Sequence, residues 1–572
     1  MTNRKSQSSE GKMPITTAKK PVIYQMLPRL FGNRCERCIP YGDIEQNGCG
    51  KLNDITSAVL DSLRDLGVTH VWYTGVIEHA QATDYSRYGI QHDNPMVVKG
   101  KAGSPYAIKD YYDIDPDLAV SVPNRMLEFE QLVERTHAAG LKVIIDFVPN
   151  HVARCYHSDV APAGIEDFGA HDDVNMFFSP HNNFYYMPGQ AFAPQFSCGD
   201  YHEFPAKASG NDCFTPSPST YDWYETVKLN YGVDYGNGSC HFSPIPDTWH
   251  KMLNILLYWT AKKVDAFRCD MAFMVPTEFW EWAVPQVKAV APDIKFIAEI
   301  YDVNRYHEFL ERAHFDYLYD KVNLYDTLRA IQCNNEWAAA LTGCWQRIDG
   351  IGNSMLNFLE NHDEQRFASV QYAGDAHKVL PSLVVSSMMS QAPFMLYAGQ
   401  ELGERASDSE GFSGADGRTT IFDYWSLSTL RRWLNDGKVN GGNLTADEKA
   451  LRKTYRTVLR LLNSERPIAE GEFFDLMYVN YENPHFSAHR QYTFMRHYAD
   501  TTLLIAVNFG DQPAQLEINI PQLALDMYGI TSGDKLATEL LTKRKATLNV
   551  SSAEPFKTDI EAFGAVIWKF KR

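Results

Sequence analysis

Leu141-Lys-Val-Ile-Ile-Asp-Phe-Val148 is apolar almost end to end, with no polar/apolar alternation. A run of this kind is a strand buried on both faces, the situation of a parallel sheet covered by helices. Working outward, residues 125–139 carry Met126, Phe129, Leu132 and Val133 at helical spacing and stop at Gly140, which predicts a helix feeding that strand. Further upstream, Val22-Ile-Tyr-Gln-Met-Leu27 and Val68-Thr-His-Val-Trp-Tyr73 read as strands. Between them Val59, Leu60, Leu63 and Leu66 mark one helical face, with Thr56 near its cap and Gly67 at its end. Downstream the cadence continues with helix 248–262, strand 264–269, helix 277–290 and strand 295–300, then strand-like patches near 315–319, 355–360 and 393–398. Strand–helix repetition of this length predicts an α/β fold, an eight-stranded (β/α)8 TIM barrel.

Two stretches interrupt the rhythm. Residues 152–246 are rich in Pro, Gly, Asn, Asp, His and aromatics and have little periodicity, which predicts a small domain inserted after the third strand, over the barrel mouth. From 465 to 572 helical patterns give way to strands such as Thr502-Leu-Leu-Ile-Ala-Val-Asn508, which predicts a C-terminal antiparallel β-sandwich. The expected organisation is therefore a loose tail at 1–20, barrel at 21–151, inserted domain at 152–246, barrel again at 247–464, and the sandwich at 465–572.

Composition narrows the function classes. The 572 residues are 44% hydrophobic and 13% aromatic, enough for a large core and incompatible with wholesale disorder. A net charge of −17 argues against nucleic acid or an anionic membrane as partner, since phosphate binding needs a basic face. Ten cysteines are scattered. Cys35 and Cys38 form a C-x-x-C with Cys49 following, but no fourth zinc ligand stands at a usual spacing, so unpaired, mostly buried thiols are expected, as in a reducing compartment. The first twenty residues have no apolar core of an export signal, and no apolar run approaches the roughly eighteen residues of a membrane span. A cytoplasmic location is the expectation, with export and removal of a signal as the alternative.

Catalytic groups of a barrel gather at the C-terminal ends of its strands, and three predicted strands end in carboxylates. Asp265-Ala-Phe-Arg-Cys-Asp270 puts Arg268 and Asp270 on one side of a strand. Phe296-Ile-Ala-Glu299 ends the next strand, and Phe358-Leu-Glu-Asn-His-Asp363 a later one. Three acids around one mouth, a nucleophile, a proton donor and a further carboxylate, suit glycoside hydrolysis through an oxocarbenium-like transition state. Arg268 is expected to lower the pKa of Asp270. Salt-bridged structural acids and metal-dependent barrel chemistry remain open from spacing alone.

Asp146-Phe-Val-Pro-Asn-His151, Asp265–Asp270, Ile297-Ala-Glu299 and Glu360-Asn-His-Asp363 occur in the order and with the gaps of the α-amylase family of glycoside hydrolases, which the chain resembles from about residue 20 to 572. The resemblance implies a retaining enzyme acting on α-1,4-glucans. It assigns Asp270 as nucleophile with Arg268 as its partner, Glu299 as general acid/base, and His362 and Asp363 as binders of the transition state. It also implies Tyr106 as a stacking platform, a core tyrosine being the other reading, and His151 as a sugar-hydroxyl ligand. In many relatives the asparagine of the third-strand motif helps bind structural Ca²⁺, so Asn150 is a candidate ligand; a hydrogen-bonding brace for the inserted domain is the alternative. No cofactor is required for the chemistry itself.

The motifs are shared by hydrolases and by maltosyl- or glucanotransferases. A catalytically inactive ancillary protein of this fold is disfavoured by the presence of all three acids. Where many polymer-cleaving relatives follow the nucleophile with a Lys-His pair, this chain has Met271-Ala-Phe-Met-Val-Pro276. That departure points toward soluble maltodextrins.

Overall fold

The computed structural model describes residues 20–572. The expected tail lies outside the described residues except for Lys20. That residue is buried and donates from Nζ to the backbone carbonyls of Ser387 (2.5 Å) and Ser390 (2.8 Å), so Lys20 is packed into the barrel part instead of lying in a loose tail.

Eight parallel strands close into a barrel: β1 (Val22–Met26), β2 (His70–Tyr73), β3 (Lys142–Phe147), β4 (Ala266–Cys269), β5 (Lys295–Ala298), β6 (Tyr317–Tyr319), β7 (Met355–Phe358) and β8 (Phe394–Tyr397). They follow one another in chain order around the ring, and β1 meets β8 with Val22 opposite Phe394. The helices between them form where the apolar spacing predicts. In α1 (Ser57–Leu66) the Thr56 hydroxyl accepts the Val59 N–H, and Gly67 at φ 112° ends the helix. Its Val59, Leu60, Leu63 and Leu66 are buried. Helices α2 (Arg125–Ala138), α3 (Asp247–Ala261) and α4 (Thr277–Val290) follow.

Residues 152–246 have only two- and three-residue strands. The segment leaves the barrel in a hairpin in which His151–Ala153 pairs antiparallel with Thr226–Lys228, His151 facing Lys228. Elsewhere side chains replace the missing backbone ladders. Asp172 accepts from the N–H groups of Asn183 and Phe184 and from the Tyr186 hydroxyl. Buried Arg154 pairs with Glu203 at 2.8 Å. Tyr185, Met187 and Phe192 make a small separate core.

After the barrel, a six-stranded antiparallel sheet and a two-stranded sheet form the C-terminal unit. Helix does not vanish there as the sequence suggests: Gln522–Tyr528 is helical and buries Ala524, Leu525 and Tyr528. Among the described residues no helix is long and apolar enough to cross a membrane. All ten cysteines are unpaired. Only Cys269 and Cys344 are buried, fewer than expected. Cys35, Cys38 and Cys49 each turn to a different backbone carbonyl, those of Gln46, Ser426 and Gly50.

Candidate active site

Parallel closure brings the C-terminal ends of β3, β4, β5 and β7 to one mouth, and with them Asp146, Arg268, Asp270, Glu299, His362 and Asp363. Arg268 organises the floor. It is fully buried, with Nη1 2.7 Å from Asp270 Oδ1 and 3.5 Å from Asp146 Oδ1, and Nη2 2.8 Å from Glu299 Oε2. Its Nε donates to the Tyr319 hydroxyl at 3.2 Å. The rings of Trp72 and Tyr106 lie 5.3 Å from its guanidinium carbon. A planar, permanently charged fork is the side chain suited to hold two carboxylates at once.

Glu299 is met by donors on every side. Its Oε1 accepts from the Tyr301 hydroxyl at 2.6 Å, and its Oε2 from the backbone N–H of Met271 at 2.7 Å. Met271 sits in the left-handed region at φ 42°, an uncommon conformation for a side-chain-bearing residue. That turn directly follows Asp270 and aims the N–H at Glu299. These donors complement a carboxylate at this position.

Burial pushes the Asp270 carboxyl well above the ordinary range, the charge of Glu299 adds to the rise, and Arg268 opposes both. The sequence-based expectation of a lowered value is therefore corrected. The arginine pulls as expected, but desolvation and the second carboxylate outweigh it. Asp146 is raised by burial as well, again against Arg268.

Asp363 behaves oppositely. Burial works to raise its carboxyl, but His362 and then Arg268 hold it below the usual value. His362 Nε2 is 2.9 Å from Asp363 Oδ2 and 2.6 Å from the Tyr106 hydroxyl, while Nδ1 is 2.6 Å from Gln25 Nε2. Tyr106 stacks on the His362 ring at 5.2 Å. Its ring reaches the cleft, but its hydroxyl belongs to the floor network. Burial, then Lys228 and Lys99, lower His151 to about 3, so it is a neutral imidazole near neutral pH. Asn150 Nδ2 approaches its Nδ1 at 3.1 Å, which leaves the proton on Nε2.

A cleft of about 300 Å³ is lined by Tyr106, His151, Asp270, Glu299 and Asp363 among others. Sequence reasoning missed Trp223, Tyr301, Phe422 and the Lys99–Glu225 ion pair (3.0 Å), which complete its walls. Tyr301 carried a signal, standing two residues beyond Glu299. Trp223 carried none, because nothing periodic marks its segment; it packs 5.2 Å from His151.

Asn150 does not fit the role of calcium ligand. Its Oδ1, the oxygen a cation would use, accepts the ammonium of Lys228. Lys228 is buried, and its Nζ lies 2.7 Å from Asp212 Oδ1 and 3.3 Å from the Met274 carbonyl. A divalent ion on that oxygen would touch a buried ammonium. Asn150 Nδ2 donates to the Gly210 carbonyl at 2.8 Å, a hydrogen-bonding brace to the inserted segment. Gly210 has to be glycine there, since a Cβ would come within 2.8 Å of the His151 Cβ.

Fold and site together define a (β/α)8-barrel protein with a carboxylate-lined mouth roofed by a segment inserted after the third strand. The family model for the α-amylase catalytic domain matches residues 25–182. The chain is 23% identical over 548 residues to α-amylase MalA of Haloarcula japonica, covering 95% of this chain and 62% of that protein's length. It is also 23% identical over 548 residues to a cyclomaltodextrinase of Geobacillus thermopakistaniensis, covering 92% and 74%. The crystal structure of an α-amylase from Geobacillus thermoleovorans complexed with acarbose has the same fold, with a TM-score of 0.63 at 17% identity over 97% of this chain and 99% of that one. Over residues 25–182 the chain is thus similar to the α-amylase catalytic domain, and over most of its length to curated α-amylase-type relatives.

Proposed function

We propose that this protein is a retaining glycoside hydrolase that cleaves α-1,4-glucosidic bonds of maltodextrins and starch-type α-glucans by double displacement. The observation that carries the reading is the single guanidinium of Arg268 bridging Asp270 and Glu299, which supports two carboxyls close enough to act on one glycosidic bond. Glu299 gives its proton to the leaving glycosidic oxygen while Asp270 attacks the anomeric carbon. The donors around Glu299 then stabilise its carboxylate until it takes a proton from the incoming acceptor. Asp363, held ionised beside His362, binds ring hydroxyls and tightens as the ring flattens. Tyr106 offers a face for the sugar, and neutral His151 offers its Nε2–H.

The small cleft, walled by Trp223, Tyr301 and Phe422, supports soluble oligosaccharides over granular polymer. One observation favours a second reading, transfer to a sugar hydroxyl: Met271, Ile421 and Phe422 bring apolar surface into the cleft. The product profile from maltoheptaose over time separates the two. Only shorter products are expected of the hydrolase; early products longer than the substrate would replace it with the transferase.

A further inference from the structure

We propose that the ammonium of Lys228 is a built-in cation that fastens the inserted segment to the barrel, in the place where a bound divalent ion would otherwise be needed. Three oxygens from three separate parts of the chain converge on Lys228 Nζ. Asn150 Oδ1 comes from the exit of β3, Asp212 Oδ1 (2.7 Å) from the inserted segment, and the Met274 carbonyl (3.3 Å) from the turn after Asp270. The Tyr235 ring lies 5.7 Å from the same nitrogen. The lysine is 2% exposed, and an ammonium so far from water persists only with charged and hydrogen-bonding partners around it.

The backbone is arranged to make these contacts. Pairing of Thr226–Lys228 with His151–Ala153 sets Lys228 opposite His151, one residue from Asn150. Asp212 adopts φ 60°, a left-handed conformation that aspartate tolerates better than most residues. Gly210, two residues earlier, lets the chain pass close over His151. The contact to Met274 reaches the turn whose first residue, Met271, donates to Glu299. Lys228 therefore positions the roof and the turn beneath it without touching the cleft acids. An ammonium cannot be chelated or diluted away, and two positive charges cannot share one buried set of oxygens.

The test is calorimetry of the full chain in chelator and in excess calcium, for wild type, Asn150→Ala and Lys228→Met. The proposal expects that going from chelator to calcium changes the Tm of wild type no more than that of Asn150→Ala. It expects Lys228→Met, which keeps length and loses charge, to melt roughly 3–4 °C lower, with faster proteolysis within 152–246. Calcium stabilisation of wild type that Asn150→Ala abolishes would overturn it, as would a Lys228→Met variant as stable as wild type. Should Lys228→Met fail to fold, terbium luminescence of wild type decides. Emission no stronger than from Asn150→Ala is expected, and a terbium signal lost on Asn150→Ala refutes the proposal.

Discussion

The barrel strands and the inserted segment face each other across the same cleft, yet different forces hold them. The barrel side is backbone-paired around its whole circumference, and it spends that rigidity on crowding like charges. Asp146, Asp270 and Glu299 share one buried arginine, and burial pushes up two of these carboxyls, Asp146 and Asp270, with the charge of Glu299 adding to the rise at Asp270. The inserted side has almost no ladder and is tied by individual side chains such as Asp172, Arg154 and Lys228. It contributes no carboxylate to the floor; it brings Trp223, the neighbour of the neutral His151, and Glu225, which pairs with Lys99 of the barrel part. The comparison teaches that strain is stored where the scaffold over-determines geometry, while selectivity for a sugar is shaped where the scaffold is locally adjustable.

The largest effect should come from breaking the barrel side. Asp270→Asn and Glu299→Gln each remove a group proposed to act on the reacting bond. Each should lower kcat by about 10³-fold or more while circular dichroism stays native. Either variant with near wild-type turnover would contradict the assignment. Sharpening the contrast needs a change on the roof. Trp223→Ala should leave the chemical groups in place and cost about tenfold in kcat/KM on maltooligosaccharides, through lost apolar and aromatic contact. Steady-state kinetics with a length series checks this, and an undiminished kcat/KM would remove Trp223 from the sugar-binding wall.

The smallest effect concerns stability. A carboxyl whose folded pKa lies above its unfolded value, about 3.9, contributes stability that is present below the unfolded pKa and is lost as pH rises through the folded pKa. Asp270 is such a group, so at pH 7 the wild type carries a cost that asparagine avoids. Asp270→Asn should melt about 2 °C higher at pH 7, with the gap closing as pH falls toward 4. Melts across that range test the sign, and a variant less stable than wild type at pH 7 would reverse it.

The sequence foretold the barrel because its strands are continuous apolar runs and its helices repeat with a 3.6-residue period. Strand ends were less legible. The predicted strand 264–269 is observed as Ala266–Cys269; Asp265 still bonds through its backbone to Val143 and Lys295, and its carboxylate also accepts from the Val143 N–H. The acids at the mouth stood in ordered motifs at strand ends and were nameable from them. The roof was not, since Asn183, Asp172 and Trp223 hold or line it through contacts that follow no period. The direction of the Asp270 shift was equally hidden. Adjacency in sequence reveals the arginine two residues away, but burial and the charge of Glu299 exist only after closure of the barrel. Lys228 is the same lesson for cations, a residue unmarked in sequence that answers Asn150 across a hairpin.

The central claim is that Asp270 forms a covalent bond to the sugar, and trapping tests it most directly. A fluorinated glycosyl donor that slows the second displacement should leave one sugar attached, and peptide mass spectrometry should place it on Asp270. A label on Glu299, Asp363 or Asp146 would contradict the account, as would turnover of the donor with inversion at the anomeric carbon and no adduct.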